Sequence, residues 1–232
     1  MERDGKKRCP DEAEGMDSAV REPIVISHQA IRRLPYYHKY LKNMNASDDA
    51  TVSASAIASD LRLYEVLVRK DLAAVSRASG KPRVGFRVGD LIADIEHVLG
   101  YDNHDIAVLV GVGHLGKALL SYQGFEEYGL EIVAAFDTVK ALQGKKVGGR
   151  EVFPLEKLPN LCRRLGVKIG IVTVPLESAQ GVCDLLIDSG IRAIWNFAPT
   201  HLHVPAEILV QSENMAASLA ILSQHLSQGA RP

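Results

Sequence analysis

The residues with the clearest chemical potential form a glycine-rich loop near the middle of the chain. The loop reads Gly111-Val112-Gly113-His114-Leu115-Gly116. In a G-x-G-x-x-G pattern the first glycine permits a tight turn, the second lets a pyrophosphate approach the backbone, and the third lets the next helix pack closely on the preceding strand. Backbone amides at the start of that helix would face the negative charge. All six residues are therefore candidate contacts of a dinucleotide.

A carboxylate lies at a suitable distance beyond this loop. An apolar run at 132–136 ends in Asp137, which is 137 − 116 = 21 residues after Gly116. About 20 residues is the usual distance to the carboxylate that binds the adenosine ribose of such a cofactor. Because a carboxylate suits a ribose hydroxyl and not a phosphate, Asp137 favours NAD(H) over NADP(H).

The elements that must position this loop are strands and helices in alternation. The apolar pattern predicts parallel strands at 106–110, 132–136, 167–174 and 191–197, and helices at 117–122 and 178–188. Such alternation predicts a doubly wound α/β sheet, whose ligands bind at the carboxyl ends of the strands. Thr173-Val174-Pro175 and Asn196-Phe197-Ala198-Pro199 end two of these strands. We expect both segments to border the same crevice as the glycine loop.

The preceding part of the chain predicts three helices and carries an excess of positive charge. Residues 27–88 contain 11 Lys/Arg and 5 Asp/Glu, a net charge of +6, whereas residues 89–232 contain 11 and 16, a net charge of −5. Helical periodicity runs over 28–44, Thr51 and Ser53 can cap a short second helix, and a third begins near Tyr64. The expected inward-facing residues are Ile31, Leu34, Tyr37, Leu41, Met44, Ile57, Leu61, Val66, Leu67, Leu72 and Val75.

Two functions fit this helical part. A third helix with Arg69, Lys70 and Arg77 on or near its exposed side, followed by the turn-rich basic segment 80–87, describes a winged helix-turn-helix that binds DNA. The same features also describe a helical cap with a solvated basic face on an enzyme. The residues alone favour neither.

Composition and the chain ends complete the expected organisation. Hydrophobic residues are 47% and charged residues 24% of 232, which is typical of a globular protein. With no membrane-length apolar run and no signal peptide, we expect a cytoplasmic protein that is not bound to a membrane. Cys9, Cys162 and Cys183 are too far apart for a zinc motif or a disulfide framework, so no metal is expected. An apolar helix at 218–226 lies beyond the sheet and needs a partner to cover it.

Taken together, these motifs resemble the Rex family of redox-sensing transcriptional repressors from about His28 to the C-terminus. The matching segments are Arg32-Arg33-Leu34-Pro35-Tyr36-Tyr37, Val68-Arg69-Lys70-Asp71-Leu72, Val84-Gly85-Phe86, the loop Gly111–Gly116 with Asp137, Thr173-Val174-Pro175 and Asn196-Phe197-Ala198-Pro199. The resemblance implies an α/β protein with an N-terminal winged helix-turn-helix, a Rossmann-type parallel-sheet domain and a C-terminal dimerisation helix. The implied boundaries are a disordered leader at 1–26, the winged helix at 27–88, the Rossmann domain at 89–212, and a helix and tail at 213–232 that swap between protomers of a homodimer.

The resemblance also implies a function and its residues. A homodimer would bind double-stranded operator DNA and release it when NADH rises relative to NAD⁺. Its implied DNA contacts are Ser53, Tyr64, Arg69 and Lys70, with Lys81 and Arg83 in the wing. Its implied cofactor contacts are the loop 111–116, Asp137, Thr173, Val174, Pro175 and Asn196, with Tyr122 in a signalling network near the dimer interface. The chain departs from the family at Glu213-Asn214-Met215-Ala216-Ala217, where many members carry an aspartate that pairs with this tyrosine.

Two rival functions come from other classes. An NAD-dependent dehydrogenase with a helical cap would need an acid or base, for which His201 and His203 are the candidates, yet the sequence places no carboxylate to orient them and leaves about 35 residues after the expected last strand. A CoA-binding domain would need to accommodate a 3′-phosphate, which Asp137 disfavours.

Overall fold

The computed structural model describes residues 26–44, 47, 49–77 and 85–229. The chain divides into two compact units between Ile95 and Glu96. Most of the expected leader at 1–26, and the wing residues Lys81 and Arg83, lie outside the described residues.

Among its described residues, the first unit contains three complete helices, a two-stranded sheet and the start of a fourth helix. The helices are α1 (His28–Asn43), α2 (Ala54–Asp60) and α3 (Glu65–Val75). Strand β1 (Thr51–Val52) pairs antiparallel with β2 (Phe86–Arg87), after which α4 (Val88–Leu99) begins. Thr51 therefore lies in a strand, whereas the Ser53 hydroxyl caps α2 by accepting a hydrogen bond from the Ala56 amide at 3.1 Å.

The core of this unit follows the expected helical stripes with two exceptions. Leu34, Tyr37, Leu41, Ile57, Leu72 and Val75 are buried, together with Val68, and Met44, Leu61 and Leu67 are half-buried. The expected inward positions of Ile31 and Val66 are wrong, since both side chains are exposed. On α3 the buried stripe consists of Val68, Asp71, Leu72 and Val75, which turns Val66 to solvent.

The second unit is built on a seven-stranded sheet. Its strands are β3 (Asp105–Val110), β4 (Leu130–Phe136), β5 (Lys146–Val147), β6 (Arg150–Phe153), β7 (Ile169–Val172), β8 (Ala193–Asn196) and β9 (Leu209–Ser212). The spatial order is β5-β6-β4-β3-β7-β8-β9, and every neighbouring pair is parallel except β5 with β6. Because β4 and β7 flank β3 on opposite sides, the strand order reverses beside β3, where open α/β sheets bind ligands.

The helices of this unit connect or follow the strands. They are α5 (His114–Leu120), α6 (Leu158–Leu165), α7 (Leu176–Asp188) and α8 (Met215–Gly229), with short 3-10 helices at Gln123–Tyr128 and Leu155–Lys157. The sequence places the helix after the glycine loop at 117–122, but α5 begins at His114 and ends at Leu120. The strand expected to be last is also followed by β9, so β8 is not the sheet's edge.

Both faces of the sheet are covered, as apolar parallel strands require. Val108 and Val110 join one buried cluster, and Ala107 and Leu109 of the same strand join another on the opposite face. Helix α8 differs from the others because its described side chains are all exposed. These include the large apolar residues Met215, Leu219, Ile221, Leu222 and Leu226.

Candidate functional site

The glycine loop leaves β3 through a backbone turn that only glycine fits. Gly111 has φ +103°, and a Cβ built on it would lie 2.7 Å from the carbonyl oxygen of Thr173. A Cβ on Gly116 would lie 2.0 Å from the Gly111 carbonyl oxygen. These two glycines are therefore required for the loop and the first turn of α5 to pack against the ends of β3 and β7.

Gly113 differs from its two neighbours in the motif. A Cβ built on Gly113 meets no atom within 4 Å, so the space in front of its backbone is open. The residue ends the loop as the N-cap of α5, with φ −73°. The protein backbone thus gives no reason for a glycine here, whereas a bulky anion that approaches the loop would need this space.

The Asp137 carboxylate accepts two backbone hydrogen bonds, one of them from the glycine loop. The Val112 amide donates to its Oδ2 at 2.6 Å, and the Val139 amide donates to its Oδ1 at 2.8 Å. The side-chain amide of Gln143 donates to the Asp137 carbonyl oxygen at 3.0 Å. Each carboxylate oxygen still has lone-pair capacity for a further donor, such as a ribose hydroxyl.

Thr173 connects the end of β7 to the glycine loop through hydrogen bonds. Its amide donates to the Val110 carbonyl oxygen at 2.9 Å, and its Oγ1 donates to the Gly111 carbonyl oxygen at 2.7 Å. The ends of β3 and β7 are consequently held side by side, with Asp137 at the end of β4. Three adjacent strand ends thus meet at the glycine loop.

These strand ends border a cavity of about 610 Å³. Six of the expected cofactor residues line it: Gly111, Gly113, Asp137, Thr173, Val174 and Pro175. The wall also contains residues that the sequence did not single out, namely Val110, Thr138, Val139, Leu155, Ser178, Gly181 and Val182. The additional wall residues could have been anticipated only by placing the start of α7 and the segments after β4 and β6 around the loop. The volume of the cavity suits an organic cofactor.

Other expected cofactor residues lie outside the lining of this cavity. Val112 and Gly116 are buried within the loop and the start of α5. His114 and Leu115 occupy the first turn of α5. These four are not among the residues that line the cavity, and the His114 side chain is exposed, so a direct contact of any of them with a cofactor stays a prediction.

Asn196 is fully buried, with its side chain turned into the protein. Its Nδ2 donates to the Thr200 carbonyl oxygen at 2.9 Å, and its Oδ1 accepts from the Ala198 amide at 3.0 Å. The residue shapes the loop after β8 and is not part of the cavity lining. Its expected contact with a nicotinamide stays a prediction.

Tyr122 lies between α5 and the following 3-10 helix and is 52% exposed. Its ring packs edge-on against Phe125 at a centroid distance of 4.9 Å, and Phe125 in turn contacts Trp195 at 5.7 Å. The indole nitrogen of Trp195 donates to Glu213 Oε1 at 3.0 Å. An aromatic row thus extends from Tyr122 to the segment that leads into α8.

In the first unit, three of the candidate DNA contacts lie on α3 or at its start. Arg69 and Lys70 are exposed, and Arg69 forms an ion pair with Glu65 one turn earlier. Tyr64 is the N-cap of α3, and its side chain is 85% exposed. Ser53 caps α2, as described above.

A partly buried ion pair that sequence reasoning missed connects α1 to α3. Asp71 accepts two hydrogen bonds from the Arg33 guanidinium and one from the Tyr37 hydroxyl, the latter at 2.8 Å. Burial, followed by the hydrogen bond to Asp71, raises the pKa of Tyr37 to about 12. The pairing with Asp71 also raises the pKa of Arg33. The charged residue at the fourth position of the Val-Arg-Lys-Asp-Leu segment is thus internal, unlike Arg69 and Lys70.

The histidines that a dehydrogenase would need lie elsewhere. His201 and His203 border a separate hollow with Leu202, Val204, Val210 and Ser212, and neither lines the cavity at the glycine loop. Within the described ranges there is no cluster of three or more side chains suited to a metal ion, and no helix is long and apolar enough to cross a membrane.

Two family models match parts of the chain. One is described as "Putative DNA-binding protein N-terminus" and matches residues 25–73, which include α1, α2 and most of α3. The other is described as "CoA binding domain" and matches residues 102–200, which include β3 to β8 and the glycine loop.

Several relatives match the chain across both of these parts. The chain is 39% identical over 216 residues to the redox-sensing transcriptional repressor Rex of Porphyromonas gingivalis. The aligned residues cover 93% of this chain and 96% of the relative. It is 38% identical to the Rex of Bacteroides fragilis (89% of this chain, 94% of the relative) and 39% identical to that of Carboxydothermus hydrogenoformans (85% and 95%).

Solved structures that resemble this chain belong to the same family as these relatives. RSP, a Rex-family repressor, was crystallised with NAD⁺ and operator DNA, and the chain matches that structure with a TM-score of 0.82 at 31% identity, over 88% of this chain and 94% of RSP. The complex of RSP with NADH matches with a TM-score of 0.78 at 31% identity, over 88% and 96%. With its sequence, its helical first unit and its parallel-sheet second unit all in agreement, this chain belongs to the Rex family of redox-sensing transcriptional repressors.

Proposed function

We propose that this protein binds operator DNA through α3 as a homodimer and releases it when NADH rises relative to NAD⁺. The observation that carries the proposal is the loop geometry, in which Gly113 faces open space while Asp137 is held beside it at the edge of a cofactor-sized cavity. The crystallisation of RSP with NAD⁺, NADH and operator DNA supports the same assignment for this chain.

The cavity residues divide into polar and apolar roles. Backbone at Gly113 would receive the pyrophosphate, and Asp137 would accept hydrogen bonds from the adenosine ribose. Much of the cavity wall is apolar, with Val110, Leu155 and Val174 among its residues. Because a neutral dihydronicotinamide enters an apolar wall at a lower desolvation cost than a cationic nicotinamide, this lining favours NADH.

The DNA-binding state depends on two copies of α3 at a fixed spacing. Half-sites of a symmetric operator are about one helical turn of DNA apart, so a small rotation between protomers removes one helix from its groove. The exposed apolar side chains of α8 provide the surface for association of two chains. A coupling of roughly 1–3 kcal/mol between cofactor and DNA would change DNA affinity about 5- to 150-fold.

We infer that the protein is not an enzyme. Neither His201 nor His203 lines the cavity, so neither is placed to exchange a proton with a substrate there. Coenzyme A is the ligand that the description of the family model for 102–200 suggests. A carboxylate at Asp137 disfavours its 3′-phosphate.

Fluorescence anisotropy of a labelled promoter duplex tests the proposal at one fixed salt concentration. We expect the wild-type protein to bind the duplex and NADH to release it at concentrations where NAD⁺ and coenzyme A have no effect. Arg69→Ala should weaken DNA binding, because one cation is lost from the exposed face of α3, while NADH binding is retained.

Each contrary outcome identifies a different error. Loss of both DNA and NADH binding in Arg69→Ala would contradict the division of roles between the units. Release by coenzyme A in place of NADH would contradict the cofactor assignment. Turnover of NADH in the presence of a small carbonyl compound would contradict the absence of catalysis.

A further inference from the structure

An apolar side chain projects from the outer face of α3 without any packing reason. Val66 lies in the first turn of the helix and is 78% exposed. The inner face of α3 is complete without it, because Val68, Leu72 and Val75 are buried in the core. The side chain of Val66 is therefore available to a partner.

The surroundings of Val66 indicate the chemistry of that partner. Arg69 and Lys70 follow it by three and four residues, so they lie on the same side of the helix. Of the two acidic residues of α3, Glu65 is paired with Arg69, and Asp71 is buried and paired with Arg33 of α1. An apolar group next to two cations suits a surface that combines negative charge with a small apolar group, and duplex DNA is such a surface.

We infer that Val66 reads a thymine by packing against its 5-methyl group in the major groove. The inference rests on the proposed function, in which α3 is the helix that enters this groove. Residues in the first turns of a recognition helix contact base edges, and the methyl group of thymine is the apolar feature of the major-groove edge. Arg69 and Lys70 would place the helix against phosphates or bases, and Val66 would add a preference for thymine at one position of each half-site.

The test compares thymine with deoxyuridine, which pairs identically and lacks only the methyl group. The probe is a duplex that the wild-type protein selects from a random pool, with each thymine replaced singly by deoxyuridine. At one position in each half-site we expect wild-type binding to weaken about fourfold, the equivalent of one methyl group returned to water. Replacement in both half-sites should weaken binding about 15-fold.

Substitutions at Val66 then connect this position to the side chain. In Val66→Ala the ratio of affinities for the thymine and deoxyuridine duplexes should fall to within twofold of one. Val66→Thr keeps one of the two γ-methyl groups of valine and should retain most of the ratio. Leu165→Ala removes an exposed apolar side chain from the second unit and should leave the wild-type ratio unchanged.

Two results would overturn the inference while leaving DNA binding by α3 intact. One is a Val66→Ala protein that binds the duplex with the wild-type ratio at every position. The other is a wild-type protein whose binding is not weakened by deoxyuridine at any single thymine. Failure of the wild-type protein to bind any duplex would instead overturn the proposed function along with it.

Discussion

Arg33 of α1 and Asp71 of α3 form a bidentate ion pair. Arg33 Nε lies 2.7 Å from Asp71 Oδ2, and Arg33 Nη2 lies 2.9 Å from Asp71 Oδ1. The Asp71 side chain is 6% exposed and that of Arg33 is 21% exposed. The pair joins the helix that carries Arg69 and Lys70 to the first helix of the unit. The position of the candidate DNA-binding face thus depends on two charged residues that do not belong to it.

Removal of the Asp71 charge should destabilise the first unit. Asp71→Asn keeps the shape of the side chain but leaves the Arg33 guanidinium without its counter-ion. Because Arg33 retains some access to water, we expect a loss of about 2–3 kcal/mol, somewhat less than for a fully buried pair. Urea unfolding followed by circular dichroism measures the change. Asp60→Asn, at an exposed position of α2, is the matched control, and equal midpoints for the two variants would contradict the prediction.

The stability of the protein should fall as the pH rises from about 10 to about 12. Burial raises the pKa of Tyr37 in the folded protein to about 12 from the ordinary value of 10. The folded state therefore binds the phenol proton more tightly, and this contribution is fully present below pH 10 and is lost as the pH approaches 12.

Spectrophotometric titration of tyrosine, together with urea unfolding at several pH values, measures this dependence. Tyr37→Phe should lose one late-titrating phenol and show a shallower decline of unfolding free energy above pH 10. Tyr36→Phe, at the adjacent exposed position, should behave as the wild-type protein. An unchanged late phase in Tyr37→Phe would assign that phase to another tyrosine.

Gly116 and Gly113 of the motif should respond differently to replacement by alanine. In Gly116→Ala the new Cβ would lie 2.0 Å from a backbone oxygen, so the loop or α5 must shift, at a cost of about 3 kcal/mol. In Gly113→Ala the new Cβ meets open space, so we expect a nearly unchanged melting temperature but weaker NADH binding. Calorimetric melting and NADH titration of both variants check the contrast, which equal melting temperatures would refute.

Loss of the Asp137 carboxylate should weaken the binding of NADH and leave DNA binding by the cofactor-free protein in place. A hydrogen bond to a charged group contributes about 1.5–3 kcal/mol, so Asp137→Ala should reduce NADH affinity about 10- to 150-fold. Titration of NADH fluorescence measures the affinity. Asp105→Ala, at the opposite end of β3, removes the same group away from the cavity and should bind NADH normally; a similar loss in both variants would rule out a specific role.

The two buried thiols should be inert in the folded protein. Burial raises the pKa of Cys162 and of Cys183 to about 11, with the Asp184 charge adding to the effect at Cys183. Since the thiolate is the reactive form, alkylation of a Cys9→Ser variant at pH 8 should be slow until denaturant is added. Rapid modification of the folded variant, measured by mass spectrometry, would show that these sites open to solvent.

The sequence was most informative where one residue type has one structural meaning. The spacing of Gly111, Gly113, Gly116 and Asp137 predicted the strand ends that now surround the cavity, and long apolar runs predicted β3, β4, β7 and β8. The short strand β9 was missed because its exposed pattern resembles a loop, and an isolated sequence contains no signal of its pairing with β8.

Side-chain direction was less predictable than the helices themselves. Hydrophobicity predicts that Val66 is buried and Asp71 exposed, but the structure shows the reverse. Asp71 can be buried because Arg33 and Tyr37 supply the hydrogen-bond partners that a buried carboxylate needs. Nothing local to α3 reveals these partners, which lie 38 and 34 residues earlier in the chain. Likewise, the Asn196 side chain forms hydrogen bonds with the backbone of the loop that follows its own strand. Sequence spacing alone does not distinguish this role from contact with a ligand.

The unequal surroundings of the glycines bear on how this motif would change during evolution. At positions 111 and 116 the protein's own backbone excludes a larger residue, so selection for folding alone would preserve them. Position 113 has no such internal constraint. A descendant that no longer used a dinucleotide would therefore be free to replace this glycine first, while the rest of the fingerprint persisted as a remnant of the fold.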